Sequence, residues 1–170
     1  MLFHFSEDPS IQVFKPRLSA SFPNRGPAVW AIDQEHSLHY YFPRDCPRVI
    51  YWKGESTNAG DIERFFSDSN TDKIIVIENS WLERMCSTKL YVYTLPEESI
   101  DWFEESETAG YYVSHQEIVP LKVELVGNLM EKIIKENVEL RFTPNLLPIR
   151  NRVLSSTLDF SIIRFRNAVT

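Results

Sequence analysis

Strand-length runs of β-branched and aromatic residues recur along this chain, and the connections between them are mostly too short for repeated right-handed βαβ crossovers. The composition predicts strands over residues 2–5, 28–32, 48–52, 73–78, 89–95, 110–113, 121–126, 138–142 and 160–165. Neighbouring parallel strands need a crossover of a dozen or more residues, whereas antiparallel ones can follow a tight turn. The pattern therefore predicts an α+β fold with mixed, mostly antiparallel sheets and short helices. Asp33 is a candidate N-cap for a helix through Tyr41, and Ser56 to Asn58 offer caps for one through Phe66, with Ile62, Phe65 and Phe66 on one side. Brief helices are expected over 81–85 and near 151–154. Asn128 is a candidate cap for a helix carrying Leu129, Met130, Ile133 and Ile134 in one stripe. Residues 121–126 alternate apolar with charged, which predicts a half-buried strand.

The 170 residues fit one domain spanning 1–170, and 43% hydrophobic against 25% charged residues is enough for a core. A formal charge of −6 argues against general nucleic-acid binding, because phosphate backbones attract a surplus of cations. Cys46 and Cys86 are too few for a disulfide scaffold, and the four histidines show no zinc-ligand spacing, so no metal is expected. The first residues have neither a basic nor a long apolar signal-type segment, and no apolar run approaches the ~18 residues of a membrane span. The expected compartment is the cytoplasm.

Several clusters could carry chemistry. His4 lies between Phe3 and Phe5 on the first strand, so alternation turns its imidazole away from both rings, toward a cleft or solvent if the phenylalanines face the core. On a helix from Asp33, His36, His39 and Tyr40 share one face that could line a pocket or simply pack. Cys46 is flanked by Arg44 and Arg48, cations that depress a thiol pKa. A Cys–His hydrolase is one reading, and a local turn or anion-binding loop is the favoured one. Glu117 stands at a strand entrance with His115 two residues before it. Among charged residues, 97–107 contains only acids, with Trp102 and Phe103 embedded, and reads as an exposed helix or loop. Residues 141–170 hold Arg141, Arg150, Arg152, Arg164 and Arg166 against the single acid Asp159. Those arginines suit planar recognition of phosphate, or they pair with the acidic run inside the fold.

The order of these clusters resembles the ADP-ribosyltransferase-like fold, with its RNA 2′-phosphotransferase and toxin-like branches. The likeness rests on Leu2-Phe3-His4-Phe5-Ser6 for a first strand bearing a basic residue. It continues with Val29-Trp30-Ala31-Ile32-Asp33 followed by Tyr40 or Tyr41, and with Glu117 at the later strand entrance. Ser6 stands where such domains carry Gly-Ser or Gly-Thr, and their Ser-Thr-Ser-type motif is absent. The whole chain also resembles a small uncharacterised bacterial family built around HFSED, VWAID, FPRDCPRV and Pro144-Asn145-Leu146. The first resemblance implies a catalytic set of His4 on the ribose of NAD, Tyr40 stacking on nicotinamide and Glu117 stabilising an oxocarbenium-like centre. It also implies cofactor contacts from Trp30, His36, Arg44 and Arg48. The expected function is a domain that binds a nucleotide or another phosphorylated small molecule, NAD first among them, with or without transfer. The alternative is a non-enzymatic protein-interaction domain using Trp102 and Phe103. The oligomeric state is not specified by the sequence.

Overall fold

The computed structural model describes residues 1–98, 100–103 and 109–169. Two compact units emerge, each assembled from two chain segments: Met1–Tyr41 with Lys89–Gly127, and Phe42–Thr88 with Asn128–Thr170. The fold is α+β with mostly antiparallel sheets, as the strand pattern predicts. Among the described residues no helix is long and apolar enough to cross a membrane.

The first unit is built on six strands, numbered here along the chain: β1 (Leu2–Ser6), β2 (Val29–Asp33), β5 (Tyr91–Leu95), β6 (Asp101–Trp102), β7 (Tyr111–Ser114) and β8 (Lys122–Leu125). Their order is β6-β7-β2-β1-β5-β8, antiparallel throughout. Leu2, Val29, Ala31, Tyr93 and Leu95 share one face and pack under Phe14, Ile100 and Ile118. Phe14 and Ile118 are held together by a two-way backbone bridge, Phe14 N–H to Ile118 O at 2.8 Å and Ile118 N–H to Phe14 O at 2.9 Å.

The second unit holds β3 (Arg48–Trp52), β4 (Lys73–Glu78), β9 (Glu139–Thr143) and β10 (Asp159–Ile163) in the order β10-β3-β4-β9. The β4–β9 pair is parallel, the others antiparallel. Its helices are α1 (Ala59–Phe66), α2 (Leu82–Ser87), α3 (Leu129–Lys135) and α4 (Leu147–Leu154). Val49, Tyr51, Ile74 and Val76 project to one face, where Phe65 and Phe66 of α1 and Val153 of α4 cover them. Asn58 and Asn128 cap α1 and α3, their side-chain oxygens accepting from Asp61 N–H at 2.8 Å and Glu131 N–H at 3.2 Å. Of the expected α3 stripe, Leu129 and Ile133 are buried and Ile134 is exposed.

Three local expectations are corrected. In place of a helix from Asp33 there is a turn and one 3-10 turn, Ser37–Tyr40. Asp33 ends β2 and its carboxylate accepts from His36 N–H at 2.8 Å, satisfying the turn without continuing a helix. Strand β8 is exposed along its whole length because it is the sheet's outer edge. Trp102 and Phe103 divide: Trp102 lies exposed on β6, and Phe103 is buried. The remainder of the acidic run expected as a helix or loop includes residues 99 and 104–108, outside the described residues.

Candidate functional site

Alternation along β1 sends Leu2, His4 and Ser6 to one face of the first unit's sheet and Phe3 and Phe5 to the other. The Phe5 face carries a continuous row of aromatic rings. Phe5 stacks on Tyr40 with centroids 6.2 Å apart and planes 12° from parallel, and meets Tyr41 edge-on at 5.5 Å. Tyr40 donates its hydroxyl to the Tyr111 hydroxyl at 2.9 Å. Tyr111 meets Trp30 edge-on at 5.9 Å, and Trp30 packs against Phe103 at 4.9 Å. Phe22 stacks on the indole, 4.9 Å away and 19° from parallel. Inside this cage the Trp30 Nε1–H is buried, and among the described residues nothing accepts its hydrogen bond. A buried donor left unpaired costs roughly 1–3 kcal/mol, so such a group marks a place where an acceptor belongs.

The turn after β2 holds a carboxylate–imidazole pair. Asp33 Oδ1 is 2.8 Å from His36 Nδ1, and the carboxylate oxygen can only accept, so Nδ1 carries the proton. Gly110, at φ +66°, permits the close approach: a Cβ there would collide with both His36 Nδ1 and the Asp33 carboxylate. Its carbonyl also accepts from Asp33 N–H at 3.1 Å, tying the start of β7 to the end of β2. Gly110 thus holds the Asp33–His36 pair at the turn immediately before Tyr111.

The other expected site residues have different surroundings. His4 shares its face with Leu2, and its ring lies 4.6 Å from Phe14. The ladder between β1 and β2 stops after the Phe3–Ile32 pair, and the His4 imidazole takes over, Nδ1–H donating to the Trp30 carbonyl at 2.8 Å. His4 and Tyr40 therefore occupy opposite faces of the sheet. Glu117 is exposed and pairs with Lys15 at 3.5 Å, flanking the Phe14–Ile118 bridge. His115 is likewise exposed, its Nδ1–H on the Pro27 carbonyl at 2.9 Å.

A family model, described as a family of unknown function (DUF6886), matches residues 3–168. The chain belongs to that family. No curated protein and no solved structure matches it.

In this DUF6886 chain Arg44 and Arg48 belong to the second unit. Arg44 is exposed. Arg48 is buried, with Nη1 donating to the Cys46 carbonyl at 2.8 Å and its guanidinium 4.9 Å above the Phe42 ring. Three of the five C-terminal arginines are engaged within the same unit: Arg141 pairs with Glu139 and Asp68, Arg150 lies over Phe165 and Arg152 over Phe65. Among the described residues no group of three or more histidine, cysteine or acidic side chains could hold a metal ion.

Cys46 is fully buried at the end of a Pro43–Cys46 turn. Burial pushes its thiol up to about 12, and the Arg48 and Arg84 charges only partly oppose that. An unfolded thiol ionises near 9.0 while the folded one keeps its proton. The stability this contributes is whole below that value and is lost as the pH rises toward about 12. Native protein at neutral pH should take up iodoacetamide at exposed Cys86 and leave Cys46 unlabelled until it unfolds, as peptide mapping would show. Rapid labelling of Cys46 would restore the hydrolase reading.

Proposed function

We propose that the aromatic face of the first unit binds the planar ring of a nucleotide or another phosphorylated small molecule, with NAD and ADP-ribose as the first compounds to try. The orphaned Trp30 Nε1–H carries this reading: it is a buried donor for a ring nitrogen or carbonyl, amid packed aromatic rings that a flat ligand would part to stack on the indole. Tyr40 supplies a further ring face and, with Tyr111, a hydroxyl pair suited to ribose. The Asp33–His36 pair adds an oriented imidazole at the turn tied to Gly110, the residue before Tyr111. Arg25 follows Phe22 on the same 3-10 turn and is the cation a phosphate would meet.

The resemblance to ADP-ribosyltransferases enters here as support for the ligand class. His4 then acts as a positioning residue, its Nδ1–H holding the strand that presents the indole. The transfer step assigned to Glu117 is not part of this reading, since that carboxylate points to solvent beside Lys15.

Titration calorimetry with NAD and ADP-ribose tests it. Trp30→Phe keeps an aromatic ring and removes the donor, so affinity should fall by about tenfold, the size of one hydrogen bond near 1.4 kcal/mol. Tyr40→Ala should weaken binding at least as much, and Glu117→Gln should leave it unchanged. Absence of heat with both compounds would sink the proposal. Equal affinity for the parent and Trp30→Phe would remove its basis.

A further inference from the structure

Strand β8 closes the first unit's sheet on one side, and an edge strand presents unpaired N–H and C=O groups along its outer rim. It reads Leu121-Lys122-Val123-Glu124-Leu125 in context. The Val126 N–H donates to the Leu90 carbonyl at 2.9 Å. In an antiparallel ladder the bonded pairs alternate, so Lys122, Glu124 and Val126 spend their backbone groups on β5. Val123 and Leu125 consequently turn theirs outward. By register the side chains of Val123 and Leu125 stand on the face of Tyr93 and Tyr91, and they are 42% and 55% exposed. Leu121 is 69% exposed, but its N–H donates to the Thr94 carbonyl at 2.8 Å, so only its side chain and carbonyl are offered to the rim. Lys122 and Glu124 form an exposed pair at 2.8 Å.

We propose that β8 pairs antiparallel with β8 of a second copy of this chain, about a two-fold axis at Val123. In that register Val123 faces itself, Leu121 faces Leu125 of the second copy, and Lys122 faces Glu124 of the second copy. The segment is thus self-complementary in both hydropathy and charge, which is what an isologous contact requires and what favours a second copy over a foreign strand. Backbone parity selects the same axis independently. Val123 has its N–H and C=O directed outward, whereas an axis at Lys122 or Glu124 would centre the pairing on groups already bonded to β5. An axis at Leu125 would set Glu124 against Val126 and lose the charge match. Pro120, which has no N–H, and Gly127, at φ +94°, bound the pairing to this segment. One strand pair is small beside a standard interface of about 1,600 Å², so the dimer is weak and concentration-dependent.

Sedimentation velocity on the full chain, from micromolar to millimolar, tests this independently of any ligand. A reversible monomer–dimer equilibrium is expected. Val123→Pro deletes an outward N–H without touching the β5 ladder and should abolish the dimer. Lys122→Glu and Glu124→Lys each oppose like charges twice across the axis and should weaken it by roughly tenfold. The double swap K122E/E124K should restore it, which no general loss of folding would do. A chain that stays monomeric throughout would overturn the proposal and leave the edge to a strand of another protein. A dimer indifferent to all four variants would overturn it as well.

Discussion

Phe103→Ala should destabilise the protein by about 3–5 kcal/mol, and Trp102→Ala, one residue away, by less than about 1 kcal/mol. The contrast comes from alternation on β6. Trp102 pairs with Tyr112 at the sheet's edge and is 47% exposed, so its removal leaves no cavity. Phe103 points to the opposite face, where its ring meets Trp30 at 4.9 Å and Phe22 at 5.1 Å. Its N–H also donates to the Tyr111 carbonyl at 2.9 Å, so the backbone stays anchored and the loss reports on the ring. Urea denaturation of the two variants decides the matter, and a larger loss for Trp102→Ala would mean that the aromatic cage is not a packed unit. Because Phe103 walls the Trp30 indole, its alanine variant should also lose ligand. Trp102→Ala should keep both fold and ligand. If it instead lost a protein partner, the interaction-domain reading would gain an anchor on β6.

Local rules in this chain were legible where both partners are near in sequence. Asn58 and Asn128 were identifiable as caps because the N–H they accept lies three residues on. The runs at β3 and β4 announce themselves because a strand buried on both faces is apolar throughout. Exposure was harder to see. Alternation in 121–126 correctly separates two faces, but whether either is covered depends on where the strand falls in the sheet, and β8 falls last. His4 shows the same limit. Its orientation opposite Phe3 and Phe5 follows from the strand, yet its own face is the one that packs under Phe14, since Phe14 arrives through a bridge to Ile118 more than a hundred residues along the chain. For the C-terminal arginines the sequence leaves phosphate recognition and internal pairing open, because the Phe65 and Phe165 rings and the Asp68 carboxylate that meet Arg152, Arg150 and Arg141 lie at separations that no local rule reaches. At the candidate site, Trp30, His36 and Tyr40 stand out by type, whereas Phe103 and Tyr111 meet Trp30 only through the order β6-β7-β2, and Phe22 through the irregular segment before β2.

Gly110→Ala should damage the site more than any other single-methyl change, because it carries two costs. The backbone there sits at φ +66°, a conformation that costs an L-residue about 1–2 kcal/mol. The added Cβ also collides with His36 Nδ1 and the Asp33 carboxylate, neither of which is the loose end of a long side chain. Relief requires either that the Asp33–His36 bond break or that Gly110 move. Moving Gly110 pulls on the Asp33 N–H bond to its carbonyl and shifts Tyr111 away from Tyr40. A total of about 3–4 kcal/mol is expected, the scale of overpacking added to backbone strain. Gly127→Ala supplies the control: Gly127 also has a positive φ, and a Cβ there meets nothing within 4 Å, so only the backbone cost remains. Chemical denaturation of both variants isolates the collision as their difference, and equal losses would show that the Asp33–His36–Gly110 contact imposes no constraint. Proton exchange at the His36 ring provides the second reading. The Nδ1–H held by Asp33 should be protected in the parent and in Gly127→Ala, and should exchange freely in Gly110→Ala.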